Sequence, residues 1–143
     1  MSITGNNWRI FPRWMMEEHE IDIRFNALLS TGRAAEVTER VRREPATMQV
    51  LLALLGDERT ALSVRIGIGV VMEDLAGSDL LQQQVEMLGK LSQHKDHRVR
   101  ADACHYLGMT HNARALPFLQ SALQDPAAEV REVAEEALGI AQG

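Results

Sequence analysis

The sequence predicts an all-α protein built from repeated pairs of helices. In the last eighty residues the dipeptide Val-Arg occurs three times, at Val64, Val99 and Val130, with spacings of 35 and 31 residues. Apolar residues follow each copy at helical spacing, as Ile68 and Val71 do after the first. No long stretch of the sequence shows the alternation of apolar and polar residues that is typical of a β-strand. Self-similarity at this period indicates an array in which stacked helix pairs bury a stripe that one pair cannot bury alone.

The first four predicted helices are bounded by turn and capping residues. Gly32 can take the left-handed position that ends the first helix, and Pro45 begins the third, where a missing N–H costs nothing. Gly56 ends the third helix, Thr60 is the expected cap of the fourth, and Gly77 ends it. The four helices are expected over residues 13–29, 34–43, 45–55 and 61–75.

The last four predicted helices begin at short polar side chains, which can accept hydrogen bonds from free backbone amides. Ser78 or Asp79 caps the fifth helix and Asp96 the sixth. Asn112 and Asp125 cap the remaining two. The helices are expected over residues 80–92, 97–109, 112–124 and 125–141, with loops short enough to make consecutive helices antiparallel.

Two prolines bear on the last two helices. Pro126 follows the Asp125 cap, which is a strong start signal. Pro117 lies five residues after Asn112 and cannot donate to a carbonyl one turn back. The seventh helix is therefore either bent or begins later than Asn112 implies.

Composition narrows the function classes. A length of 143 residues fits one domain, and a net charge of −5 argues against nonspecific nucleic-acid binding. The cluster Arg40, Arg42 and Arg43, with Arg33 nearby, is interpreted as a solvated helix face. A lone cysteine, Cys104, excludes an intramolecular disulfide, and no leader or membrane span is recognised, so we expect a cytoplasmic protein.

Residues 125–139, Asp-Pro-Ala-Ala-Glu-Val-Arg-Glu-Val-Ala-Glu-Glu-Ala-Leu-Gly, resemble a HEAT repeat, most of all the short type of bacterial proteins and phycobilisome-lyase relatives. Residues 99–108 form a second copy, the copy at Val64 is eroded, and Pro117 fits the proline of the family's first helix. The resemblance implies a right-handed α-α superhelix. It would comprise an N-terminal helical cap at 1–44 and HEAT-like repeats at 45–77, 78–110 and 111–143.

The same resemblance implies a ladder of aspartate and arginine side chains between neighbouring repeats. A guanidinium paired with a carboxylate of the next layer would satisfy both groups, which argues for a structural role. The ladder residues are Arg65, Arg100, Asp125 and Arg131. Gly108 and Gly139, also 31 residues apart, are expected where helices approach closely or where a helix loosens at its end.

Stacking places residues one period apart side by side, and the resemblance implies that second helices line a concave face. On this face, the exposed positions would be apolar in the first repeat, mainly basic in the second and acidic in the third. Its predicted partner-binding residues are Ser63, Ile66, Val70, Arg98, His105, Glu129, Glu132 and Glu136, with Ala101 aligned to Glu132. The face is either a groove for a partner's helix or tail, or an ordinary charged surface whose Ile66 and Val70 the N-terminal helices cover. His105 beside Glu136 would form an interlayer ion pair that raises the pKa of the histidine.

Trp8, Phe11 and Trp14 gather both tryptophans near the N-terminus. They either cap the exposed end of the solenoid or anchor a partner, including a second subunit in a homodimer.

Catalytic signatures are lacking. His94 and His97, with Asp96 between them, have plausible donor spacing but match no strong zinc signature, so we predict no metal and no other cofactor. Cys104 is interpreted as a small buried hydrophobe rather than a redox thiol.

The sequence therefore favours a non-catalytic protein-interaction module that binds neither nucleic acid nor membrane. The alternatives are an accessory factor for cofactor attachment in an oxidoreductase or stress-response system, as the phycobilisome-lyase likeness implies, and a metal-dependent enzyme.

Overall fold

The computed structural model describes residues 10–142, with side chains up to residue 140, as helices joined by short turns. Helices α1 to α9 are Arg13–Ser30, Ala34–Arg43, Met48–Gly56, Leu62–Asp74, Asp79–Gln82, Val85–Leu91, His97–Met109, Leu116–Ala122 and Ala128–Gln142. One-turn 3-10 helices at Pro45–Thr47 and Ala113–Ala115 lead into α3 and α8. No strand occurs between residues 10 and 142, so the all-α prediction is confirmed. None of the described helices has the length and apolar character to cross a membrane.

Two predicted helix boundaries are wrong in the middle of the chain. Thr60 does not cap α4, because its hydroxyl donates to the Leu54 carbonyl at 2.6 Å instead. The predicted fifth helix is divided into α5 and α6 at Gln83 and Gln84, where the Gln84 amide bonds a carbonyl only three residues back. Ser78 is the residue that caps α5.

The two prolines lie at helix starts, but not both as predicted. The Asn112 side chain caps the 3-10 turn, and α8 begins one residue before Pro117, so the later start is the correct alternative to a bend. Asp125 accepts the Ala127 amide at 2.9 Å, yet α9 begins only after that residue. Asp125 therefore closes a turn that includes Pro126, and the proline is not the first residue of the helix.

Glycines mark two places where helices approach closely. A Cβ added at Gly67 of α4 would lie 2.9 Å from the Leu29 carbonyl oxygen of α1. A Cβ at Gly108 of α7 would lie 2.9 Å from the Cβ of Ala137 in α9. Helices α1 and α2 thus pack on α4, and α7 packs on α9, whereas α4 and α7 meet over a smaller area. We call the loosely packed boundary between α4 and α7 the seam.

The outer face of α9 is charged where the equivalent face of α7 is small and apolar. Ala101 and Cys104 are buried and share a helix face with Gly108, so that face is turned toward α9. Glu132 and Glu135 are the equivalent residues of α9, and both are exposed. A polar outer face on the last helix closes a stack of this kind.

Candidate functional site

The arginines of the three repeat copies, Arg65, Arg100 and Arg131, bind the chain that precedes their own helices. Arg65 donates to the last turn of α3 at 3.3 Å. Arg100 donates to the two carbonyls before Asp96, at 3.0 and 3.1 Å, and Arg131 donates to the Asp125 carbonyl at 2.7 Å. Arg65 therefore ties its helix to the preceding helix, whereas Arg100 and Arg131 tie theirs to the loop that precedes them.

Two of these arginines also reach a carboxylate in the next layer. Arg65 contacts Asp102 at 2.6 Å, and Arg100 holds Asp125 through two hydrogen bonds of 2.9 and 3.0 Å. Arg100 and Asp125 are largely buried, with side chains 15% and 9% exposed. Burial by itself raises the pKa of Asp125, but hydrogen bonds from Arg100 and the Ala127 amide outweigh it and leave the pKa below its ordinary value. This ion pair joins the layers of α7 and α9.

A surface groove of about 380 Å³ lies along the seam between α4 and α7. Leu62 and Ile66 form its α4 wall, and Val70 extends their row along the same helix face. These three side chains are 72%, 62% and 43% exposed. The N-terminal helices thus leave Ile66 and Val70 uncovered, and α4 presents an aliphatic stripe to solvent.

The opposite wall of the groove is polar and contains Arg98, His105 and Glu129. Asp96 caps α7, as predicted, by accepting the Arg98 amide at 2.8 Å, and its carboxylate pairs with the guanidinium at 3.1 Å. The side-chain hydrogen bond from Arg98 holds the pKa of Asp96 well below its usual range. Arg98 donates in addition to the Glu58 carbonyl at 3.3 Å.

The structure brings together half of the residues predicted for this face. Ile66, Arg98, His105 and Glu129 line the groove, whereas Ser63, Val70, Glu132 and Glu136 lie outside its lining. Ala101 is buried and offers no surface to a partner.

The expected pair of His105 and Glu136 is not among the ion pairs of the described residues. Glu129 instead lies 3.6 Å from His97.

Sequence reasoning missed five residues of the groove: Thr60, Leu62, Gly69, Asp102 and Tyr106. Leu62 lies one turn before Ile66, so helical spacing could have identified it. Tyr106 belongs to the apolar stripe that follows Val99 and reads as core. A Cβ at Gly69 would lie 3.3 Å from the Tyr106 hydroxyl, so the glycine gives that hydroxyl room in the seam.

The remaining candidates lie apart from the groove. Phe11 and Trp14 are 40% and 59% exposed, and Trp8 falls outside the described residues. The His94 ring accepts the Asp96 amide at 2.9 Å. No group of three or more His, Cys, Asp or Glu side chains in residues 10–140 is placed to hold a metal. Burial raises the pKa of Cys104 to about 11, which keeps the thiol protonated at neutral pH.

Comparison with known proteins gives one match. A family profile described as HEAT repeats matches residues 70–139, which run from the second half of α4 into α9. No curated protein and no solved structure matches the chain.

Proposed function

Because this chain belongs to the HEAT-repeat family, whose stacked helices generally serve protein–protein interaction, we propose that it is a non-catalytic module that binds a protein partner through the groove between α4 and α7. The proposal depends on one observation above all, the exposed aliphatic stripe of Leu62, Ile66 and Val70. Since one fold hosts many functions, membership of the family does not by itself assign this role to the groove.

An aliphatic stripe with a polar wall beside it has the character of an interaction surface. Contiguous apolar surface rimmed by polar groups marks binding sites on soluble proteins more often than isolated apolar residues do. Covering a large aliphatic side chain completely is worth about 1.5–3 kcal/mol. The repeat of one turn between Leu62, Ile66 and Val70 suits an amphipathic helix that lies along the groove.

Site-specific photo-crosslinking tests the proposal. A photoreactive amino acid would replace Ile66, and the matched control would replace Ile23, which is 57% exposed on α1. We expect an adduct with a defined partner from position 66 alone. Once identified by mass spectrometry, the partner is purified and titrated against Ile66→Gln and Ile23→Gln. Equal affinity for the wild type and Ile66→Gln would contradict the proposed binding face.

The same preparation separates this function from the accessory role in cofactor attachment. An accessory factor of that kind would copurify with a chromophore, which is visible in the absorption spectrum of the untagged protein. A colourless preparation that forms the Ile66-dependent complex supports the interaction module.

A further inference from the structure

We infer that the partner segment is an amphipathic helix that is both aliphatic and basic. Its aliphatic side chains would cover Leu62 and Ile66, and its lysine or arginine side chains would reach the carboxylates of α9. The inference rests on the proposed function, because it assigns an occupant to the same groove. It is drawn from the charges that remain unpaired on the two sides of the seam.

The positive charges of the groove are already neutralised within the protein. Arg65 is buried and bound to Asp102 at 2.6 Å. Arg98 is bound to Asp96 at 3.1 Å and to a backbone carbonyl at 3.3 Å. An acidic partner would have to displace one of these carboxylates, so neither arginine attracts a negative charge strongly.

The carboxylates of α9 have fewer positively charged partners within the protein than the arginines have negatively charged ones. Glu129, Glu132 and Glu136 are spaced by three and four residues and therefore share one helix face, and all three are exposed. The one ion pair found for them among the described residues joins Glu129 to His97 at 3.6 Å, and both side chains are more than half exposed. This acidic row, Glu129–Glu132–Glu136, begins at the groove and continues along α9. The chain as a whole carries a net charge of −5, which adds to the attraction for cations.

The dimensions suit two turns of helix. Leu62, Ile66 and Val70 extend about 12 Å along the α4 axis, at a rise of about 1.5 Å per residue. A groove of about 380 Å³ holds a few side chains rather than a whole domain. A second copy of this chain would fit poorly through the same face, because two acidic rows would then face each other.

Two synthetic helical peptides provide the probes. They share the same leucine positions and a fluorescent label, but one carries lysine and the other glutamate on the polar face. Fluorescence anisotropy at low and high salt measures their binding to the wild type, Ile66→Gln and the double variant Glu129→Gln/Glu136→Gln. We expect the lysine peptide to bind the wild type at least about tenfold more tightly than the glutamate peptide. Ile66→Gln should weaken it about fivefold, and the double variant about fivefold with a smaller salt dependence.

Matched controls separate the groove from the general charge of the protein. Ile23→Gln removes a similarly exposed isoleucine from α1, and Glu18→Gln/Glu20→Gln removes two exposed carboxylates of α1, away from the groove. Both controls should bind the lysine peptide as the wild type does. Because all these positions are exposed, the variants should fold normally, and circular dichroism checks that they do.

The outcomes distinguish a wrong charge assignment from a wrong binding face. If the glutamate peptide binds as tightly as the lysine peptide and Ile66→Gln weakens it, the charge assignment is overturned and the proposed groove stands. If Ile66→Gln changes the affinity for neither peptide, or if neither peptide binds, the groove does not take an amphipathic helix of this kind. Self-association of the wild type that Ile66→Gln abolishes would place a second copy in the groove and overturn the inference as well.

Discussion

Two equivalent glycines should respond to the same substitution with opposite signs. A Cβ at Gly108 would lie 2.9, 3.0 and 3.1 Å from the Cβ, Cα and carbonyl oxygen of Ala137. Backbone atoms cannot rotate away, so α7 and α9 must separate, at a cost of about 1–3 kcal/mol. Alanine recovers about 1 kcal/mol of helix propensity, which leaves Gly108→Ala less stable by about 1 kcal/mol. A Cβ at Gly139 meets nothing within 4 Å, so Gly139→Ala should add up to about 1 kcal/mol.

Urea unfolding followed by circular dichroism measures this contrast. With a denaturant dependence of about 2 kcal/mol per molar urea, the midpoints of Gly108→Ala and Gly139→Ala should differ by about 1 M, on opposite sides of the wild type. Because the chemical change is identical, each variant is the control for the other. An increase in both midpoints would refute the close approach of α7 and α9 at Gly108.

Three further predictions concern stability. Asp125→Asn should lower the free energy of unfolding by about 2–3 kcal/mol, measured in urea, because it removes a largely buried charged partner of Arg100. The control Glu36→Gln, which breaks an exposed ion pair, should change it by less than about 0.5 kcal/mol. Equal effects of the two variants would contradict the interlayer role of Asp125. The pKa of Asp125 is lower in the folded than in the unfolded protein, so the stability that its carboxylate adds is complete above about pH 4 and is lost as the pH falls through the folded pKa. The difference in unfolding free energy between wild type and Asp125→Asn should therefore shrink from pH 7 to pH 3. A constant difference would contradict this linkage. His111→Gly should raise the stability by about 0.5–1 kcal/mol because His111 has a φ of 52°, whereas His111→Ala, which keeps a Cβ, should give no such gain.

The fold was largely predictable because capping residues and the apolar period agree over much of the chain. The bounds of α2 and α7 are those predicted, and Asp96 caps α7. The start of α9 was missed because an aspartate can bond an amide two residues ahead in a turn as readily as at a helix start, and Asp125 does the former. The interruption at Gln83 was also missed, since glutamine favours a helix and nothing local predicts a turn there.

The candidate site was predictable only in part, because a repeat alignment gives a residue's place on its helix but not the distance between helices. The alignment placed Ile66 and Ala101 in the same row. The small face around Gly108 lets α9 cover Ala101, whereas the seam after α4 leaves Ile66 exposed. Tyr106 was assigned to the core, and its place in the groove depends on the absence of a side chain at Gly69. Such effects arise from packing between layers, which a single helix pattern does not encode.

The arginine ladder has a consequence for how the protein opens. In a stack whose helices contact mainly their neighbours, each layer could in principle unfold separately. Arg65 and Arg100 oppose this, since each joins the chain before its own helix to a carboxylate of the next layer. Separating two layers therefore leaves a charged partner behind. No carboxylate within the described residues forms an ion pair with Arg131. The C-terminal layer is therefore tied by Arg100 and Asp125 on one side, whereas the layers of α4 and α7 are each held by an arginine of their own and a carboxylate of the next layer. Hydrogen exchange should be fastest in α9 and slower in α4 and α7.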